Sequence, residues 1–239
     1  LLATEDWSRS IELGERVDVV YLDLAKAFNT VPPKRLVHKL RRYGIAGKLL
    51  NWLEAFLVER QQRVRVGGSL SGWSPVPIGV PQGSVLAPLL FILYVNDLPS
   101  ALGCGIKIFA DDTKLYQPVK TSASALALQE DLTTAARWAQ EWQLVFNAAK
   151  CKVLRIGRRD HQHTYTMSGT AMEVVAAEKD LGVYMDSDMK FRRHAAAAVS
   201  KASQMLAVVR RTFQLLDTTT LPLLLKTMIR PHLEYVNVV

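Results

Sequence analysis

The spacing of apolar and polar residues changes along the chain, and each change marks an element. Residues 4–16 predict a helix: Thr4 is a candidate N-cap, Glu5 and Asp6 suit the first turn, and Gly14 is a stop signal. Residues 17–24 form an apolar, β-branched run that predicts a buried strand, and Pro32-Pro33 breaks the backbone after it. Residues 34–57 read mostly helical around Gly44 and Gly47. Arg63-Val64-Arg65-Val66 alternates strictly and runs into Gly67-Gly68, which predicts a hairpin, half buried and half basic. Residues 84–98 predict an apolar helix with Pro88 in its first turn. Residues 106–110 and 113–119 predict a second hairpin whose turn holds Asp111 and Asp112.

The second half of the chain reads as more helix and shorter strands. Leu128, Leu132, Trp138 and Trp142 fall near helical spacing within 122–143. A strand at 151–156 and a polar loop at 157–163 follow. Two short strands, 164–167 and 181–185, are expected to bracket a turn at Gly169. Residues 190–216, with Lys201, Arg210 and Arg211, and 219–235, with Lys226 and Arg230, predict helices. A soft boundary falls near residue 188. There is no internal repeat, and the only low-complexity tract is Ala195–Ala198.

Two of the predicted strands run straight into carboxylates. Val19-Val20-Tyr21-Leu22 ends at Asp23, and Ile106-Lys107-Ile108-Phe109-Ala110 ends at Asp111-Asp112. A carboxylate at the end of a core strand is costly unless something offsets its desolvation. A hard divalent cation does so, since Mg²⁺ takes oxygen ligands and is often held by one or two carboxylates plus substrate phosphates. Side by side, the two strands would put Asp23 and Asp111 at one sheet edge, as the protein half of a two-metal phosphoryl-transfer site. Local sequence alone also admits a strand-end cap at Asp23 and a solvated turn at Asp111-Asp112.

Composition narrows the partners. The 239 residues allow one large domain or two small ones, and 49% hydrophobic with 22% charged residues is ordinary for a globular chain. The formal charge of +8 and a pI near 9.6 suit a polyanionic partner. Cys104 and Cys151 are the only cysteines, too few for a disulfide framework, so reduced thiols in a reducing compartment are expected. The longest apolar run, Val85–Val95, is too short to span a bilayer, and no membrane association is expected. With no initiator Met and no stop signal at Val236-Asn237-Val238-Val239, the chain is expected to be part of a longer reading frame.

Between the acidic stretches lies Gly79-Val80-Pro81-Gln82-Gly83-Ser84. The order D-L-A-K-A-F, G-V-P-Q-G-S, F-A-D-D, N-A-A-K-C and L-G-V resembles the palm of a reverse transcriptase, closest to LINE-type, non-LTR retrotransposon enzymes of the jockey-like branch. The similarity runs from about Val17 to about Tyr235. The resemblance implies an α+β fold: a small antiparallel sheet packed on helices as palm over 1–188, and a partial helical thumb over 189–239. It implies RNA-directed DNA polymerisation with an RNA template, a DNA primer and deoxynucleoside triphosphates, two Mg²⁺ or Mn²⁺ ions, and an intracellular location in nucleus and cytoplasm.

Carried over residue by residue, the resemblance makes Asp23, Asp111 and Asp112 the catalytic carboxylates and metal ligands, with the Leu24 carbonyl as a further ligand. Asp111 is the better bridging ligand, because successive side chains on a strand face opposite ways. Phe28 falls at the aromatic steric gate that excludes a 2′-hydroxyl; simple core packing is the other reading. Gln82 and Gly83 fall where template base or nucleotide sugar is met; the other reading is a loop and helix cap centred on Ser84. Lys150 falls near the nucleotide phosphates, or is a solvated lysine at a strand start. Leu181-Gly182-Val183 resembles the primer-grip hairpin, or is an ordinary one.

The chain departs from the family pattern at Asn29, where Asp is usual, and at Ala87, where Gly is usual. The family's fingers are expected upstream of residue 1, and its endonuclease region is expected outside the chain. A chain of this extent is therefore expected to polymerise poorly on its own. The alternative is a catalytically inert, nucleic-acid-binding relic whose helices at 190–235 hold backbone phosphates. A different two-metal nuclease would need further His or Glu ligands near Asp111, and the neighbouring sequence has neither.

Overall fold

The apolar run at residues 17–24 becomes the strand around which the sheet is arranged. In the computed structural model, which describes residues 2–157, 163–213 and 217–235, β1 (Arg16–Asp23) lies in the middle of five strands. Its neighbours are β7 (Asp112–Val119) and β8 (Lys152–Ile156), with β6 (Gly105–Phe109) beyond the first and β11 (Glu173–Val175) beyond the second. A central position explains why β1 buries Val17, Val19, Val20 and Leu22 on both of its faces. The fold class is α+β, as the sequence implies.

The chain divides into two compact units. The larger comprises Val19–Val153 and His161–Glu173. In it the short α2 (Ala27–Thr30) is followed by α3 (Pro33–Arg42) and α4 (Gly47–Leu57). Gly44 ends α3 with φ +85°, and the Ile45 amide donates back to the Leu40 carbonyl at 3.1 Å, a Schellman-type stop. A β-arm follows, built from β2 (Arg60–Gln62), β3 (Arg65–Val66), β4 (Ser69–Leu70) and β5 (Ser74–Val76). The half of this hairpin expected to be buried is not: Val64, Val66 and Leu70 are exposed, because the arm's strands pair with one another and not with the five-stranded sheet. Then come α5 (Leu86–Val95), a 3-10 turn at Leu98–Ala101, the β6–β7 hairpin and α6 (Ser122–Glu141). Leu36, Leu40, Phe91, Leu115, Leu128, Leu132 and Val153 share one core.

Lys39 is buried in that core, which the amphipathic pattern of α3 does not announce. Its ammonium donates to the Tyr94 carbonyl and to Asp97 Oδ1, each at 2.5 Å, and lies 3.7 Å from the Trp142 ring centre and 4.9 Å from those of Tyr94 and Trp138. Burial pushes its pKa down, and the Asp97 hydrogen bond opposes that shift. The cation thus links α3, α5 and α6 through directional contacts.

The smaller unit comprises Leu1–Asp18, Leu154–Asp160 and Val174–Val239. It holds α1 (Leu2–Glu12), whose Trp7 is fully buried, and a buried Arg16–Asp18 ion pair at 2.9 Å, two residues apart and so on one strand face. β12 (Ala177–Asp180) pairs antiparallel with β13 (Val183–Asp186), and α7 (Arg192–Thr212) packs on β13. The expected helix over 219–235 is divided into α8 (Thr220–Leu224), a π-helical turn at Leu225–Ile229 and α9 (Arg230–Glu234). The division precedes Pro231, which lacks an amide proton and excludes an unbroken α-helical ladder.

One pairing differs from expectation. The Gly169 turn joins β9 (Thr166–Met167) to β10 (Thr170–Ala171), not to residues 181–185. Residues 183–186 pair instead with 177–180 across Leu181-Gly182, both at positive φ, the backbone twist that a two-residue hairpin turn requires. Most of the polar loop expected at 157–163, residues 158–162, and the end of the expected helix at 214–216 lie outside the described residues. Among the described residues no helix is long and apolar enough to cross a membrane.

Candidate active site

Asp23 is the last residue of β1 and is half-buried. The backbone just past it is held by a second segment. The Ala25 amide donates to the Val145 carbonyl and the Asn147 amide to the Asp23 carbonyl, both at 2.8 Å, around an antiparallel Leu24–Phe146 bridge. In that pattern Leu24 is the residue not hydrogen-bonded to its opposite number, so its own carbonyl points away from Phe146. Lys26, at φ 50°, then turns the chain into α2, which carries Phe28.

The second acidic stretch forms a tighter turn than the sequence suggests. Phe109 pairs with Asp112, so the two-residue turn is Ala110-Asp111, and Asp112 is already the first residue of β7. Ala110 takes φ 54°, the left-handed conformation such a turn needs. Both Asp111 and Asp112 are exposed, and β7 is the sheet neighbour of the strand that Asp23 ends.

The glycine-rich segment packs against the Phe28 region through backbone. The Gly79 amide donates to the Val31 carbonyl and the Val80 amide to the Phe28 carbonyl, both at 2.8 Å. Gly79 has φ +86°, and a Cβ there would lie 2.9 Å from Asn29 Cα and from the Asn29 and Phe28 carbonyl oxygens. Only glycine permits this approach. Ser84 Oγ donates to the Pro81 carbonyl at 2.7 Å and accepts the Ala87 amide at 3.1 Å, so Ser84 satisfies one of the first amides of α5 from the residue before its N-cap, Val85.

Phe28, Gln82, Gly83, Ser84, Val85, Ala87 and Pro88 together line an open cavity of about 480 Å³. Three sequence-predicted residues, Phe28, Gln82 and Gly83, therefore share one wall. Phe28 also stacks on Phe91, with ring centres 4.7 Å apart, so its ring is backed by the core and faces the cavity. Packing and gating are compatible roles for one side chain. Ala87 is buried against this wall, while Asn29 lies exposed on α2. Val85 and Pro88 complete the lining; their apolar character gave no signal beyond that of the helix itself.

Lys150 Nζ lies 3.6 Å from Asp23 Oδ2, in a turn closed by the Lys150 amide on the Asn147 carbonyl at 2.9 Å. Lys150 is exposed and Asp23 only half-buried, so solvent screens this pair and it contributes little stability. It does set an exposed cation at the end of β1. Nearby Cys151 is buried, and that burial pushes its thiol pKa up. Among the described residues, no three His, Cys, Asp or Glu side chains are gathered closely enough to hold a metal ion by themselves. The available donors are hard carboxylate oxygens at solvent-facing strand ends, the chemistry Mg²⁺ uses when substrate phosphates complete its shell.

A reverse transcriptase (RNA-dependent DNA polymerase) family model matches residues 7–191. The RNA-directed DNA polymerase from the mobile element jockey of Drosophila melanogaster is 32% identical over 184 residues, 73% of this chain and 20% of that protein. A probable RNA-directed DNA polymerase from transposon BS of the same fly is 29% identical over 229 residues, 87% of this chain and 24% of that protein. The chain thus spans about a fifth to a quarter of the length of these relatives. A telomerase structure from Candida tropicalis, solved with a fragment of telomeric RNA, superposes with a TM-score of 0.58 at 9% identity, over 99% of this chain and 41% of the telomerase; this likeness is one of fold.

Proposed function

The chain belongs to the reverse transcriptase (RNA-dependent DNA polymerase) family, in its non-LTR retrotransposon branch, and we propose that it carries the nucleotidyl-transfer centre of such an enzyme. Its substrates are then an RNA template, a DNA primer and deoxynucleoside triphosphates. Residues 1–188 serve as palm and 189–239 as part of the thumb.

Family members use divalent metal ions. Asp23, Asp111 and Asp112, with the Leu24 carbonyl, are the residues that would hold them here. Two Mg²⁺ or Mn²⁺ ions, when bound, activate a primer 3′-hydroxyl and stabilise the leaving pyrophosphate. Asp111, on the turn itself, suits a bridging position, and Asp112 adds negative field beside it. Lys150 has a flexible ammonium within reach of Asp23 and is suited to neutralise triphosphate charge. Phe28, backed by Phe91, bounds the cavity with its ring, where it would act as the gate against a 2′-hydroxyl that the family resemblance implies. Gln82 and Gly83, on the same lining, offer an amide and a side-chain-free surface to the base pair.

The observation that carries this reading is the convergence of Phe28 with Gln82 and Gly83 on one cavity, from segments more than fifty residues apart. Primer extension on an RNA template tests it. Residues 1–239 alone should extend a primer poorly, so the comparison is made with these residues carried in a longer retrotransposon polymerase: there the wild-type sequence should incorporate deoxynucleotides in Mg²⁺, and Asp111→Asn should reduce extension to background, because an amide cannot replace the anionic ligand. Equal extension by Asp111→Asn would remove Asp111 from the reaction.

A further inference from the structure

The β-arm at residues 60–76 takes no part in the site described above, yet its composition and exposure are unusual together. Every residue from 61 to 75 is exposed. The segment contains three arginines and no acidic residue. Its two halves are one hairpin with a shift in register. Arg60, Gln61 and Gln62 pair with Val76, Pro75 and Ser74, whereas Arg65 and Val66 pair with Leu70 and Ser69. The one-residue offset is taken up near Gly72, where the Ser71 amide donates to the Val64 carbonyl at 2.9 Å.

The lower register, continued by one residue, sets Arg63 opposite Trp73, and the Arg63 guanidinium lies 4.5 Å from the Trp73 ring centre. Arg65 is two residues further along, at the start of β3. Trp73 is 60% exposed, and its stacked arginine covers only part of the ring. An indole carrying a cation, with a second cation two residues further along and no carboxylate on the segment, matches a base stacked between two backbone phosphates. Arg60 anchors the base of the arm: its guanidinium donates to the Ile78 carbonyl at 2.9 Å and also to that of Gly79, at the start of the segment that lines the cavity.

We propose that this arm is a docking platform for single-stranded RNA, with Trp73 stacking a base and Arg63 and Arg65 holding the flanking phosphates. The proposal deepens the polymerase reading and rests on it for the identity of the strand as template. Its binding test is independent of catalysis.

The probe is a fluorescein-labelled 15-nucleotide oligouridylate, titrated with the protein and followed by anisotropy at several salt concentrations. Trp73→Ala should weaken binding by about 5- to 150-fold, the loss of one base–aromatic stack, while Trp73→Phe should recover most of it. Arg63→Ala with Arg65→Ala should weaken binding and reduce the slope of log K against log salt by about 1.4, at 0.7 per phosphate on a single strand. Circular dichroism should be unchanged, since all three side chains are exposed. Wild-type affinity and salt slope in both variants would overturn the proposal, as would unchanged RNA binding with loss of self-association in sedimentation, which would make the arm a protein contact. The anisotropy titration is run without metal or nucleotide and the catalytic reading is tested by primer extension, so failure of the catalytic reading and failure of this one give different results.

Discussion

Replacing Gly79 and Gly83 by alanine in turn separates the cost of backbone strain from the cost of lost space. The two glycines have nearly equal φ, +86° and +83°. Forcing an L-residue into that conformation costs roughly 1–2 kcal/mol at either position. At Gly83 nothing lies within 4 Å of a new Cβ, so that is the whole effect. At Gly79 the methyl meets three backbone atoms of Phe28 and Asn29 at 2.9 Å, and backbone cannot swing aside as a flexible side chain can. Overpacking of this kind adds about 1–3 kcal/mol. Relief would also stretch the Gly79–Val31 and Val80–Phe28 hydrogen bonds. Gly79→Ala should therefore destabilise by about 2–5 kcal/mol in total and Gly83→Ala by about 1–2. Both residues lie in the larger unit, so urea unfolding of the two variants reports on the same transition, read as a midpoint shift at constant slope. Equal destabilisation by the two variants would refute the close packing of the glycine-rich segment on the Phe28 backbone.

Three further outcomes are expected. Lys39→Ala should destabilise by about 2–3 kcal/mol in urea titration, less than for a fully buried pair because Asp97 retains access to water. In an active full-length polymerase, Phe28→Val should raise ribonucleotide incorporation and leave deoxynucleotide incorporation largely intact, measured as the ratio of kcat/KM values; an unchanged ratio would leave Phe28 with packing alone. Burial, followed by the neighbouring Asp131 carboxylate, pushes the Cys104 thiol up to about 12. Because this lies above the ordinary value of 9.0, its contribution to stability is complete below pH 9 and is lost as pH rises toward 12. Cys104→Ala should flatten the stability–pH profile in that window.

The long, strongly patterned elements were legible in the sequence because their period and their stops agree. The β1 run, the 106–119 hairpin and the α6 helix follow directly from apolar spacing. The short strands between residues 164 and 186 were not, because strands of two to four residues carry too little alternation to choose a partner, and Gly169 and Gly182 close equally local turns. Lys39 was invisible for a different reason. A lysine on an amphipathic helix reads as solvated, and only the three-dimensional meeting of Tyr94, Trp138 and Trp142 makes its burial tolerable. The candidate site was legible through motif order. Its cavity was not, since it depends on Gly79 bringing two separated segments into backbone contact.

A crystal structure of the protein with Mg²⁺, primer–template and a non-hydrolysable deoxynucleoside triphosphate tests the proposed centre most directly. Asp23 and Asp111 carboxylate oxygens should lie roughly 4–7 Å apart around a metal pair separated by ~3.5–4 Å, with the nucleotide sugar against Phe28. Carboxylates diverging to opposite faces of the sheet, or a nucleotide bound away from the Phe28–Gln82 cavity, would contradict the account.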